Sequence, residues 1–274
     1  MTETHQDCGC PSCAANADSG GYVYSVGTIS ARPPSASIEK ELLQAIGRAE
    51  VNGLTDRQSL KAVLSKPENR YLLRRLCWVF SVERIETYIL APRDPADFSL
   101  LLDALRSDPS PTDLDVVIGV RGPVAPVEAC NGLRVPVVVF DQIYSFDRGS
   151  LVGSIPRPKK TQTEQFDSVA EELLDRILQL AGNSGTTDEH RAVNYLAVRY
   201  PAIYARTAEA FSKNNSLASV EARPSPLSGP RKIVDVVFSY RDRATDVVDK
   251  SFVRVDVSEE FPFLVSKLAP YFDR

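Results

Sequence analysis

Histidine is scarce in this 274-residue sequence, which contains only His5 and His190. Imidazole is the commonest side-chain ligand of catalytic metals, so a histidine-rich metal centre is nearly excluded. The sequence also has no glycine-rich phosphate-binding loop, no dinucleotide-binding glycine pattern and no GxSxG nucleophile elbow. These absences leave no familiar catalytic motif from which a reaction could be assigned.

Long apolar runs and an excess of basic residues are missing as well. No segment reaches the roughly 18 to 20 apolar residues that a membrane-spanning helix needs, and the N-terminus lacks the basic-then-apolar layout of a secretion signal. A formal net charge of -4 argues against general binding to nucleic acids or anionic membranes. Hydrophobic residues make up 43% of the chain and charged residues 25%, as is typical of soluble globular proteins. We therefore predict a cytoplasmic protein that has neither nucleic acid nor membrane as its partner.

A polar stretch that contains two prolines, SIPRPKKTQT at 154–163, is the best candidate for an internal boundary. On this basis the sequence divides into a cysteine-rich tail at 1–20, an α/β half at 21–156 and a second half at 157–274. The tail is small and polar and has no hydrophobic periodicity, so by itself it is expected to be disordered.

The first half alternates between helical and strand-like patterns. Apolar residues recur at helical spacing over 38–49, and Thr55 and Gln58 have the spacing of a capping box that starts a second helix. Further helices are predicted at 68–76 and 97–106. β-Branched and aromatic runs predict strands at 22–29, 77–83, 86–92, 114–122 and 135–146. Helices interleaved with apolar strands indicate a mixed sheet with flanking helices.

The second half reads as a helical segment followed by an antiparallel meander. Helical periodicity extends over 161–180 and over 186–211, with a kink or restart at Pro201. A short helix is predicted from Glu260 to Leu268. Alternating strands are predicted at 217–224, 231–243 and 250–259. With the two halves packed on each other, the fold class is α/β (α+β).

Three cysteines lie close together in the stretch DCGCPSC at 7–13, namely Cys8, Cys10 and Cys13. Thiolates bind Zn²⁺ tetrahedrally, and structural zinc sites usually collect four ligands. In the cytoplasm cysteines stay reduced, which favours a metal over disulfides. The sequence therefore predicts a structural zinc ion that fixes the tail to the domain. The alternatives are a tail whose thiols have no specific role, and an iron–sulfur or copper site.

The fourth zinc ligand is expected to be Cys130. It lies in EACNGLRVP, a loop between two predicted strands, where a ligand can be presented. Cys77 begins an apolar strand beside Trp78, where a buried free cysteine is ordinary packing. His5 is close in sequence, but a site built from the tail alone would anchor nothing. The predicted set is Cys8, Cys10, Cys13 and Cys130, with Cys77 and His5 as alternatives for the fourth position.

His190, Asp141 and Asp147 are the candidates for acid–base chemistry. His190 lies in the first turn of a predicted helix and is the only histidine placed to act as a general base, although such a residue is more often a surface or capping group. Asp141 and Asp147 occur in FDQIYSFDR at 140–148, around the C-terminal end of the most strand-like segment, where α/β sheets tend to form sites. The structural alternative is that Asp147 pairs with Arg148.

Long stretches of the sequence resemble a known family. They are PENRYLLRRLCWVFSVERIETYILAPRDPADF, RGPVAPVEACNGLRVPVVVFDQIYSFDR, TDEHRAVNYLAVRYPAIYA and FVRVDVSEEFPFLVSKLAPYFDR. These strings resemble the C-terminal domain of unknown function of PatG-type cyanobactin maturation proteases, and the similarity extends over 22–274. The resemblance implies a place in the biosynthesis of ribosomally synthesised, post-translationally modified peptides. The subtilisin-like Asp, His and Ser motifs of those proteases are not found in this sequence, so the resemblance implies neither cleavage nor macrocyclisation.

Two functions are compatible with these observations. The first is an accessory module without catalytic activity that binds a precursor peptide or a processing enzyme, with zinc in a structural role. The second is an enzyme that modifies a peptide and uses His190 or the Asp141/Asp147 segment as acid and base. The missing catalytic motifs favour the first.

Overall fold

The computed structural model describes residues 21–48, 54–156 and 163–272. The cysteine-rich tail, with Cys8, Cys10 and Cys13, lies outside these ranges, as does most of the predicted boundary at 154–163. Within the described ranges, no helix is both long and apolar enough to cross a membrane.

Strands of the first half close into a small barrel. Their bounds are β1 Tyr22–Arg32, β2 Cys77–Val82, β3 Ile85–Pro92, β4 Asp113–Val124 and β5 Pro136–Asp147. The order around the barrel is β1-β2-β3-β5-β4. β3 and β5 run parallel, and all other neighbours are antiparallel. The predicted mixed sheet is confirmed, and it closes on itself.

β1 closes the barrel because it changes partner along its length. Residues 22–27 pair with β4, and residues 28–32 pair with β2. At the point of change, a Cβ atom on Gly27 would overlap the carbonyl oxygen of Ser81. Glycine therefore lets the two strands approach closely where the barrel bends.

Short helices pack against the barrel. Their bounds are α1 Ala36–Arg48, α2 Asp56–Leu64, α3 Arg70–Arg75 and α4 Phe98–Ala104. The capping box of α2 is confirmed, because Oγ1 of Thr55 accepts a hydrogen bond from the backbone nitrogen of Gln58 at 3.3 Å and the Gln58 side chain accepts one from the Thr55 nitrogen at 3.0 Å. Trp78, Phe80 and Phe140 are buried in the core that these helices share with the barrel.

The second half consists of helices followed by an antiparallel sheet, as predicted. The helices are α5 Arg148–Ser154, α6 Thr163–Leu178, α7 Asp188–Arg199 and α8 Ala202–Ser212. The strands are β6 Asn215–Pro224, β7 Ile233–Asp242, β8 Val248–Asp256 and β9 Phe263–Pro270, and they pair in the order β6-β7-β8-β9.

A continuous apolar core joins the two halves through the helical layer. It includes Tyr24 and Val116 of the barrel, Leu173 of α6, Leu196 of α7 and Phe238 of the C-terminal sheet. Burial of these side chains removes apolar surface of both halves from water, so each half stabilises the other.

The predicted C-terminal helix at 260–268 is wrong, because most of this segment belongs to β9. Phe263 is exposed, whereas Leu264 and Leu268 pack against the core, which follows the two-residue period of a strand. β9 pairs with β8, and the backbone nitrogen of Leu268 donates to the hydroxyl of Tyr200 at 3.0 Å. Pairing with β8 therefore overrides the local helical pattern.

β5 continues to Asp147, one residue beyond the predicted strand at 135–146, so Asp141 lies within the strand and only Asp147 lies at its end. The reason is that β4 pairs with β5 along almost its whole length, from Pro136 to Asp147. A bulge between Phe140 and Gln142 interrupts the register at Asp141. The polar side chains of this segment are therefore spread along the barrel wall and do not form one loop.

Candidate functional site

Two carboxyl groups meet where the barrel joins the C-terminal sheet. Asp141 projects from β5, and Glu260 lies in the connection between β8 and β9. Nη2 of Arg93, which directly follows β3, is 2.7 Å from Oδ2 of Asp141 and 3.5 Å from Oε2 of Glu260. Only 24% of the Asp141 side chain and 14% of the Glu260 side chain are exposed. We call Arg93, Asp141 and Glu260 the junction cluster.

The carboxyl group of Glu260 has a higher pKa than an ordinary glutamate. Burial is the main cause that raises the pKa of Glu260 to about 7, and the hydrogen bond with Asp141 and the negative charge of Asp141 act in the same direction. The positive charges of Arg93 and Arg191 lower the pKa of Glu260 and offset only part of this effect. A carboxyl group that titrates near pH 7 has the protonation behaviour of a general acid. The same arrangement also fixes the β8–β9 connection against the barrel.

Arg191 of α7 positions the β8–β9 connection and thereby Glu260. It is almost completely buried; its Nη1 donates to the carbonyl oxygen of Val257 at 2.7 Å, and its Nη2 donates to the carbonyl oxygen of Glu259. The guanidinium carbon lies 5.2 Å from the ring centre of Tyr22, whose hydroxyl donates to the Glu259 carboxylate at 3.2 Å. β1, α7 and the connection are therefore held together at one point.

Asp147 lies apart from Asp141 and has a local role. Six steps of extended strand separate the two residues, a distance of about 20 Å. The Asp147 carboxylate accepts hydrogen bonds from Oγ1 of Thr112 at 2.5 Å and from the backbone nitrogen of Ser150 at 3.0 Å. These bonds, the one from Thr112 foremost, lower the pKa of Asp147. Asp147 thus caps α5, and Arg148 pairs with a carboxylate of α6 and not with Asp147.

His190 also belongs to a helix cap. It is the third residue of α7, and its backbone nitrogen donates to Oγ1 of Thr187 at 3.1 Å. Burial lowers the pKa of His190, so its imidazole is mainly neutral at pH 7. In the described part of the chain, the contacts of His190 include neither Asp141 nor Asp147. The structure therefore does not bring the three predicted acid–base candidates together.

Cys130 is joined to Cys77 by a disulfide, with a Cα–Cα distance of 5.6 Å. Cys130 ends a short 3₁₀ turn between β4 and β5, and Nε of Arg32 points at its sulfur at 3.4 Å. A cysteine in a disulfide has no thiolate to offer to a metal, so in this state Cys130 is not the predicted fourth zinc ligand. Among the described residues, no group of three or more His, Cys, Asp and Glu side chains is arranged to hold a metal ion.

A polar cleft of about 430 Å³ lies between the barrel and α6. Arg84, Arg148 and Gln179 are among its lining residues, whereas Asp141 and His190 are not. The cleft and the titratable candidates are thus separate features of the surface.

The outer face of the C-terminal sheet carries arginine and aromatic side chains in contact with one another. Val236 and Phe238 of β7 point into the core, so the alternate residues of the sheet face outward. We call the following six residues the arginine–aromatic face: Arg223, Arg231, Phe252, Arg254, Phe263 and Tyr271. The distances from guanidinium carbon to ring centre are 4.7 Å for Arg254 and Phe252, 5.1 Å for Arg223 and Tyr271, and 5.2 Å for Arg231 and Phe263.

Sequence reasoning missed both the junction cluster and this face. Glu260 had been assigned to a helix, and only the fold brings it to Asp141. The face did leave a signal, because Phe252 and Arg254 occupy alternate positions of a predicted strand and must share one side of it.

Comparisons with known proteins agree with the resemblance seen in the sequence. Residues 160–271, which contain α6 to α8 and the C-terminal sheet, match the family described as "PatG C-terminal". The solved structure of the "PatG Domain of Unknown Function" superposes with a TM-score of 0.73 at 20% sequence identity, over 92% of this chain and 99% of that chain. No curated protein sequence matches this chain. The resemblance to the PatG domain is confirmed, and the fold is shared along most of the chain.

Proposed function

We propose that this chain is an accessory domain in the biosynthesis of ribosomally synthesised, post-translationally modified peptides of the cyanobactin type, and that it binds a precursor peptide or a processing enzyme without catalysing a reaction itself. The arginine–aromatic face carries the proposal. It is an exposed, preorganised surface, and it lies within the residues that match the PatG C-terminal family.

The dispersal of the acid–base candidates supports a binding role. His190 and Asp147 each take part in a helix cap, and Asp141 is engaged by Arg93 and Glu260. Catalysis by acid and base needs both groups within hydrogen-bond reach of one substrate. These residues lie in three different environments, so they do not form such a pair.

A second candidate function rests on the junction cluster. Glu260, whose pKa is about 7, could donate a proton to a bound peptide, with Asp141 beside it. This enzyme would act on the peptide at the barrel–sheet junction. It requires that a Glu260→Gln substitution, which removes the titratable proton, abolish turnover while the fold is kept.

A structural zinc ion is part of the proposal. Cys8, Cys10 and Cys13 would supply three thiolates, and Cys130 would supply the fourth once its disulfide with Cys77 is reduced, as expected in the cytoplasm. Four thiolates leave no open coordination position, so the ion would fix the tail to the barrel and take no part in chemistry. Elemental analysis of protein purified under reducing conditions should give about one zinc per chain, and a Cys8→Ser/Cys10→Ser variant should have lost it.

The experiment that tests the binding role uses the full chain and the precursor peptide of the same biosynthetic gene cluster. Isothermal titration calorimetry should detect association, and mass spectrometry of the peptide after incubation should show no change in mass. A changed mass would overturn the non-catalytic role. If neither the precursor peptide nor the processing enzymes of the cluster associate with the chain, the binding role is wrong.

A further inference from the structure

We propose that the arginine–aromatic face binds an extended, acidic peptide segment that carries aromatic side chains; this inference rests on the binding role proposed above and names its surface and partner chemistry.

The charges are arranged in a row across the strands. Asp235 of the central strand β7 lies opposite Arg223 on one side and opposite Arg254 on the other. Nε of Arg254 donates to Oδ1 of Asp235 at 3.0 Å, and Nε of Arg231 pairs in the same way with Asp256. Each aspartate therefore fixes the guanidinium group of one arginine on the sheet.

The aspartates lie beneath the arginines, so the outer surface is cationic. Only 4% of the Asp235 side chain and 1% of the Asp256 side chain are exposed, against 52% for Arg231 and 27% for Arg254. In both arginines, Nε is engaged in the bond to the aspartate. In the described part of the chain, their Nη atoms have no hydrogen-bond acceptor. An arriving carboxylate can therefore accept two N–H bonds from a guanidinium group that is already oriented. A cationic surface on a chain of net charge -4 selects an acidic partner.

The apolar part of the face suits aromatic side chains. Phe252 and Tyr271 meet edge to face with 5.5 Å between ring centres, and 48% of Phe263 is exposed at the rim. Alternate residues of an extended peptide point to the same side. A segment that alternates acidic and aromatic residues could thus place carboxylates over the arginines and rings beside Phe263.

The packing of the rings argues against single-stranded nucleic acid, the other anionic partner that arginines and aromatics can bind. Base stacking needs an open ring face. Arg254 already covers Phe252, and Arg223 covers Tyr271. The observations therefore favour a peptide.

Fluorescence anisotropy with a labelled peptide of about ten residues, alternating glutamate and tyrosine, tests the inference; that length matches the strands of the sheet. The full chain should bind this peptide and should not bind a matched peptide of lysine and tyrosine. An Arg223→Glu variant should bind at least about tenfold more weakly, because a charge-assisted contact is replaced by repulsion. Arg223 has no buried carboxylate bonded to it, so this variant should fold, which circular dichroism verifies.

Arg74→Glu is the matched control, since it makes the same charge change at an exposed position of α3. The inference would be overturned if Arg223→Glu and Arg74→Glu weakened binding equally, or if the lysine peptide bound as well as the glutamate peptide. It would also be overturned if the wild type did not bind the glutamate peptide up to about 1 mM, or if a thymidine oligonucleotide bound to the same face more tightly. Binding of the precursor peptide distinguishes a failure of this inference from a failure of the proposed function. If this peptide binds wild type and Arg223→Glu equally, the binding role stands and the assigned surface is wrong. If neither the precursor peptide nor a processing enzyme of the cluster binds the wild type, the binding role itself has failed.

Discussion

Glu260→Gln should make the protein more stable at pH 8 than the wild type, although it removes a charged residue. Glutamine has the shape of the protonated glutamate and cannot lose a proton. In the wild type, Glu260 must ionise next to Asp141 as the pH rises, within a partly buried site. The uncharged amide of glutamine avoids the electrostatic repulsion from Asp141 that an ionised Glu260 experiences.

The sign and the size follow from the two protonation equilibria. The pKa of Glu260 is about 7 in the folded protein against an ordinary value of 4.5, so the folded state binds the proton more tightly than the unfolded state. The contribution of Glu260 to the free energy of unfolding is therefore complete below about pH 4.5 and is lost as the pH rises to about 7. The difference between the two pKa values corresponds to about 3 kcal/mol. Because water reaches part of the carboxyl group and screens it, we expect the ionisation of Glu260 to cost about half of this free energy.

Urea unfolding followed by circular dichroism gives the free energy of unfolding at pH 5 and at pH 8. The advantage of Glu260→Gln over the wild type should grow by about 1 to 2 kcal/mol between these two pH values. Glu68→Gln, at an exposed position without an ion pair among the described residues, should show no such pH dependence. An advantage of Glu260→Gln that is the same at both pH values would refute the raised pKa of Glu260 in the junction cluster.

Three further perturbations test the other parts of the structure. Gly27→Ala should destabilise the barrel by more than about 2 kcal/mol in urea unfolding, because its Cβ would overlap the Ser81 carbonyl oxygen; an unchanged midpoint would contradict the β1–β2 geometry. Asn194→Ala should cost about 2 kcal/mol in the same assay, since Nδ2 of Asn194 donates to the buried Tyr24 carbonyl oxygen at 2.9 Å; a loss below about 0.5 kcal/mol would contradict this. Thiol titration without reductant should find Cys130 unreactive, and reduction of the disulfide should raise the zinc content per chain. A full zinc content in the oxidised protein would exclude Cys130 as a ligand.

Local sequence patterns were sufficient for most helices and strands. The capping box at Thr55 and Gln58 fixed the start of α2, because its two hydrogen bonds lie within one helical turn. The apolar runs at 77–83 and 86–92 predicted β2 and β3 for the same reason, and these two strands, neighbours in sequence, pair with each other. β9 is the exception. Its local pattern is helical, and pairing with the open edge of β8 overrode that pattern.

The mixed α/β class, the C-terminal meander and the resemblance to the PatG domain can be read from the sequence, because each depends on residues close together in the chain or on long matching stretches. The folded chain alone reveals that the first sheet closes, that Cys77 meets Cys130 and that Glu260 meets Asp141. These contacts join residues 53 or more positions apart. Their formation depends on barrel closure and on burial at the junction, and no local pattern of residues records either.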